Sequence, residues 1–301
     1  PLIMTVKCMV KKAPKVGRQC YVGSSAKARH SAFRHFVINF FAIVGSLFLP
    51  CPLWAHEFWI EPSSFQPKLN NNITADLVVG TDFLGISEIY VPDKIEVFEL
   101  LGPIADKPIY RSKITGRYGD RPAATMALSK NGLYIILHQT APVYLTYLAA
   151  NKFDQFAREK GFENALLKHQ ERGLSLTNIT EQYQRFAKSL IAVGGAGSAR
   201  MVKDRHLGLA IELVAEVNPY QIPPPRIMPI RLFAAGKPLA NAQITVFTRH
   251  NPRDVESTKY QTDINGRANF PLLPGRDYLV DSVILRPSTG SITIGGRPAA
   301  M

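Results

Sequence analysis

The sequence predicts a mainly β fold: two β-sandwich units, Ig-like or transthyretin-like, with a helical insertion between them. Three observations carry that reading. Short runs such as Ile73–Val79 and Ile95–Leu100 alternate apolar with polar residues, the pattern of half-buried strands. Turn residues cluster about every ten positions, the spacing of sandwiches built from short strands. The apolar period turns helical in a single stretch, between about residues 152 and 193.

The first sandwich unit is assigned to residues 56–150. Gly132–His138 and Val143–Leu148 add strands to the two already named, and turns fall at Pro67–Asn72, Gly116–Pro122 and Ser129–Gly132. The helical insertion covers 151–205. In it Phe153, Phe156, Phe162, Leu166 and Leu167 recur at helical spacing around a break at Gly161. Tyr183, Phe186, Ala187, Leu190 and Ile191 predict a second amphipathic helix, ended by Gly194-Gly195, with Lys and Arg on its solvated face. The C-terminal unit, 206–290, takes strands from Leu209–Val217, Ile227–Phe233, Gly236–Phe247, Thr262–Phe270 and Pro274–Val280. Asn265-Gly266 predicts a hairpin, because both central residues of a type I′ turn need positive φ. Residues 291–301 form an irregular tail, with a truncated or frame-shifted end expected.

Residues 1–55 differ in kind. They hold eight Lys or Arg, no Asp or Glu, and all three cysteines, Cys8, Cys20 and Cys51. Without those eight, 28 basic residues face 23 acidic ones, so the formal +13 falls to +5. The remainder is no nucleic-acid binder by charge, and no aromatic and basic residues interleave on a strand platform. Lacking thiols, it excludes disulfides, zinc fingers, cysteine nucleophiles and iron–sulfur clusters. The apolar run at 36–50 is too short and interrupted to span a membrane comfortably, but has the proportions of a signal-peptide core. Cleavage is expected after Ala55, giving a periplasmic protein that begins at His56; an uncleaved anchor is the alternative. Cys51 fits a lipoprotein site poorly, behind Leu49 and Pro50. The stretch ahead of the leader is expected to be an upstream-extended reading frame, not a folded module.

No G-x-S-x-G, H-E-x-x-H, P-loop or G-x-G-x-x-G motif occurs, so the chain is not expected to be an enzyme. The glycines at 194–197 follow a predicted helix and read as a linker. The sharper feature is His56. Once Ala55–His56 is cut, its α-amine and imidazole Nδ1 can close one chelate ring on Ni(II), Co(II), Cu(II) or Zn(II). His138, which ends a predicted strand, and His206, which precedes one, are the candidate further ligands, with Glu57 and Asp82 as carboxylates. His169, on a helix, and His250, in a turn, rank lower. The competing reading of His56 is an ordinary surface histidine. Trp59 reads as a buried strand anchor more readily than as a platform for a sugar or peptide.

Several segments resemble a family of exported bacterial proteins with a domain of unknown function. These are His56–Pro62 (HEFWIEP), Val79–Gly85 (VGTDFLG), Gly132–Tyr134, Lys152–Gly161, Tyr183–Gly194, Leu209–Pro219, Gly236–Leu239 and Thr262–Gly266, and the resemblance spans about 56–286. Members are described as the periplasmic component of nickel or cobalt uptake systems. The resemblance implies two β units with a helical insertion, the second similar to a transthyretin-like or collagen-adhesin B-type sandwich. It also implies a periplasmic metal-binding or metal-delivery protein, a divalent transition metal (nickel, cobalt or copper), and a membrane metal transporter or envelope protein as partner. His56 alone falls on a matching motif as a ligand. This chain departs from the family at Thr81, where some relatives place a His, and after Arg286, where relatives continue into a Trp- and Ser-containing strand. The alternative functions are a non-enzymatic envelope module binding sugar, peptide or protein, and, further down, an envelope hydrolase.

Overall fold

The structure is a computed structural model that describes residues 2–11, 56–103, 110–195, 202–288, 293–294 and 297–298. In chain order, β1 (Leu2–Lys11) precedes a group formed by β2 (Glu57–Pro62), β3 (Asn72–Thr81), β4 (Leu84–Glu88), β5 (Ile95–Leu101), β6 (Arg111–Lys113), β7 (Ala124–Ala127), β8 (Gly132–Thr140) and β9 (Val143–Ala149). Two helices follow, α1 (Ala150–Glu159) and α2 (Ala165–Glu171), and then the long β10 (Thr177–Val193). The C-terminal group is β11 (Ile211–Ala215), β12 (Ile227–Ala234), β13 (Lys237–Pro238), β14 (Gln243–Asn251), β15 (Asp254–Gln261), β16 (Arg267–Pro271) and β17 (Asp277–Pro287).

The strands build one nine-stranded sheet with a four-stranded sheet packed on each face. The long sheet runs β15-β14-β17-β1-β10-β8-β5-β6, with β9 also on β10. On one face lie β2, β3, β4 and β7; on the other lie β11, β12, β13 and β16. Alternation sorts the side chains. Phe58, Ile60 and Leu77 meet Phe98, Tyr134 and Ile136 in one core. Leu213, Ile230 and Phe270 meet Ile135, Leu190 and Val280 in the other. The mainly β expectation therefore holds; of the long sheet, residues 56–150 supply β5, β6, β8 and β9, and residues 206–290 supply β14, β15 and β17.

Three features differ from the sequence reading. Tyr183–Ile191 is strand, not helix. From Phe186 to Val193 both faces of β10 are covered, with Phe186, Leu190 and Ala192 in one core and Ala187, Ile191 and Val193 in the other. Two buried faces remove the period-2 alternation, and what is left mimics helical spacing. Among the described residues α-helix is confined to α1 and α2, where Phe153, Phe156 and Ala157 pack on Tyr147, Ile179 and Val283. Second, Asn265-Gly266 joins unpaired strands, since β15 lies in the long sheet and β16 in the opposing one. The crossing is an Asx turn, in which Asp263 Oδ1 accepts from the N–H groups of Asn265 and Arg267.

Third, residues 2–11 are a folded element. β1 pairs antiparallel with β10 and parallel with β17 along its length, and Leu2, Ile3 and Met4 are buried. It bridges the half-sheets of the two units. The predicted leader core at 36–50 and Ala55 lie outside the described residues.

A candidate metal-binding corner at His56

His56 stands exposed just ahead of β2, with Nδ1 3.2 Å from Thr81 Oγ1. The register explains the pairing: Glu57 lies opposite Gly80, so Thr81 faces position 56. Next comes a two-residue turn, Asp82-Phe83, both at positive φ (53° and 59°) between the paired Thr81 and Leu84. A left-handed Phe costs roughly 1–2 kcal/mol, which burial of its ring offsets. Phe83 packs edge-on against Trp59 at 5.5 Å, and the Arg249 guanidinium lies 4.0 Å above it. Arg249 is in turn held by Glu61 Oε1 at 2.6 Å and Asp277 Oδ2 at 3.1 Å.

Beneath the turn lies a buried charge cluster. The Lys160 ammonium donates to Glu57 Oε1 at 2.8 Å and to Asp281 Oδ2 at 3.0 Å, and the Asp82 N–H donates to Glu57 Oε2 at 3.1 Å. Glu57, Lys160 and Asp281 are only 4–5% exposed. Burial pushes the Glu57 carboxyl up to about 7, against the pull of Lys160. Burial works to lower Lys160 as well, but the facing Asp281 and Glu57 outweigh it and hold the ammonium above the ordinary lysine range. Two carboxylates share one cation, so Lys160 stays charged while Glu57 is the carboxyl that more readily takes up a proton. Beside them opens a cavity of about 330 Å³, lined among others by Asp82, Lys160, Ser257 and Lys259. With both Glu57 oxygens and an Asp281 oxygen engaged, this cluster anchors the corner. The exposed nitrogen donor there is His56.

The predicted ligands His56, His138 and His206 do not come together. His138 is buried in the core between β2 and the long sheet, with its ring 5.0 Å from Phe58 and 5.1 Å from Phe98. Burial, assisted by Arg185, lowers its pKa to about 3, so the imidazole is neutral. His206 packs on Phe233 at 4.6 Å, with Nε2 3.5 Å from Glu212 Oε2. Among the described residues no three His, Cys, Asp or Glu are grouped to hold a metal ion. His169 Nε2 lies 2.7 Å from the Ser175 carbonyl, and His250 is on β14, not in a turn. Trp59 is buried and its Nε1 donates to Glu61 Oε2 at 2.7 Å, so it is an anchor and offers no exposed face to a sugar.

Sequence reasoning missed the buried charges. Lys188 was assigned to a solvated face, yet it donates to Asp204 Oδ1 and Glu212 Oε1 at 2.8 and 2.9 Å. Glu212 also accepts from the N–H groups of Leu207, Gly208 and Leu209, pinning the segment that carries His206. A usable signal was present, since Lys188, Glu212 and Asp281 each interrupt an otherwise apolar run.

A model of a domain of unknown function (DUF4198) matches residues 53–284. The chain belongs to that family. The DUF4198 span begins just before His56 and ends beyond Asp281, so it takes in the whole corner, while β1 lies outside it. No curated protein matches the chain.

Proposed function

We propose that this is a periplasmic protein that holds a divalent transition metal, nickel, cobalt or copper, at a processed N-terminal His56 and passes it to a membrane transporter. The observation that carries the reading is the corner itself. His56 is an exposed imidazole at the first position before a strand whose next residue is locked by a buried ion cluster. That lock fixes the α-nitrogen and the ring at the surface, where two donors leave most of the coordination sphere open. An open sphere suits exchange and handover better than a closed structural site. The Thr81 hydroxyl lies 3.2 Å from the His56 ring, so a second imidazole placed at position 81 would join the first.

Three measurements test it. N-terminal sequencing of the exported protein should begin at His56. Nickel titration by calorimetry should give a Kd on the order of micromolar, weakened by about tenfold or more when the α-amine is acetylated. Thr81→His should tighten binding by a similar factor. Equal affinity of the capped and uncapped forms removes the amine from the site and the proposal with it.

A further inference from the structure

The metal reading uses neither His138 nor the space beside it. That space is a cavity of about 160 Å³ between the β2-β3-β4 sheet and the long sheet. Its walls include the apolar side chains of Phe58, Leu77, Ile95 and Val143, and two polar groups, His138 and Arg185, line it as well. His138 is 1% exposed, and among the described residues neither of its ring nitrogens has a hydrogen-bond partner. The buried Nε of Arg185 has none either. Leaving such buried groups unpaired is destabilising, so their presence asks for a reason.

The guanidinium is held in place by aromatic faces, with Cζ 5.1 Å from the Tyr183 ring centre and 5.6 Å from that of Phe58. The Arg185 backbone N–H is tied to Thr140 Oγ1 at 3.0 Å. A fixed cation beside a neutral imidazole repels a metal ion, which turns the predicted role of His138 around. It favours an anion that accepts from the Arg185 fork and from one His138 N–H. At the rim, exposed Glu88 and Lys94 offset each other in charge. The volume equals that of roughly five water molecules, which limits the guest to an acid of a few carbons.

We propose that this cavity is a binding site for a short-chain organic monocarboxylate. Its carboxylate pairs with Arg185 and His138, and its hydrocarbon end lies against Phe58, Leu77 and Val143. The site is separate from the His56 corner and stands whether or not that corner holds a metal.

Butyrate, butylamine and butanol titrated into the full chain test this, read by isothermal calorimetry and by the His138 imidazole NMR signals. Butyrate should bind one to one and shift the His138 signals, while the amine and the alcohol should do neither. Arg185→Met should weaken butyrate by at least about tenfold, with Arg185→Lys intermediate because it keeps charge without the fork. His138→Phe keeps the ring and removes both nitrogens, so it should weaken butyrate several-fold while leaving thermal stability equal or higher. Absence of saturable butyrate binding up to about 10 mM, or equal binding of butyrate and butylamine, overturns the proposal. A stabilised His138→Phe variant with undiminished binding does the same for the imidazole's part. Should Arg185→Met fail to fold, the ligand comparison on the native chain and the His138→Phe variant still decide.

Discussion

Lys160→Met keeps the length of the side chain but withdraws the ammonium that stands 2.8 Å from Glu57 and 3.0 Å from Asp281. Both carboxylates remain buried, with a charge that neither water nor a cation compensates. Removing one partner of a buried ion pair costs about 3–5 kcal/mol. With a urea slope of about 2–3 kcal/mol per molar for a chain of this size, the midpoint should fall by about 1–2 M at pH 8. The penalty has a pH signature. Glu57 already sits at about 7 in the folded protein against 4.5 ordinarily, so the native state binds more protons there than the unfolded one. Its contribution is full below pH 4.5 and is lost as the pH rises to about 7, a span worth at most about 3 kcal/mol. In the variant, without the pull of the ammonium, the Glu57 carboxyl holds its proton more tightly still. The loss at pH 5 should therefore be clearly smaller than at pH 8. Urea unfolding of the full chain and the variant at both pH values reads this directly. A loss below about 1 kcal/mol at pH 8, or equal losses at both pH values, would show that water reaches the cluster and that it does not lock the corner.

Lys188→Met should cost a similar 3–5 kcal/mol or so, and hydrogen exchange should quicken at Leu207, Gly208 and Leu209, whose N–H groups rest on Glu212; unchanged exchange there would refute the pinning. Gly85→Ala places a Cβ 2.6 Å from the Val79 carbonyl and 2.7 Å from Trp59 Cη2. It should destabilise by about 1–3 kcal/mol and alter the near-ultraviolet dichroism of Trp59, and a neutral result would mean that the β3–β4 hairpin is looser than drawn.

Strands with one covered face are legible because their alternation survives, as at Ile95–Leu100; β8, covered on both faces, is legible instead as a short apolar run bounded by turn residues. β10 is not, because burial on both sides erases the signal on which the reading depends. The tight hairpin was also misplaced. Asn-Gly at 265–266 has the intrinsic preference, but two-residue turns with both φ positive fall at Asp82-Phe83 and Ala235-Gly236, and in the first a buried aromatic ring overrides backbone cost. Local pattern reports propensity, and here packing decided. At the site, His56 stands out by its motif, and its exposed position is one that the competing reading of an ordinary surface histidine shares. Lys160 and Asp281 were not, since 121 residues separate two side chains that meet at 3.0 Å. Nor could spacing reveal that His138 would share its cavity with a guanidinium.

In the long sheet, β17 and β10 are neighbours only by way of β1. The proposed scissile bond after Ala55 lies downstream of that strand, so the cut that liberates the His56 amine also severs the covalent tie to the sheet's middle member. The body then keeps Leu2–Lys11 as a loose peptide, or presents two open ladders facing each other across the width of one strand. Such a gap accepts any extended segment of matching alternation. In the second case the long sheet would be one strand short, with β10 and β17 each offering an unpaired edge.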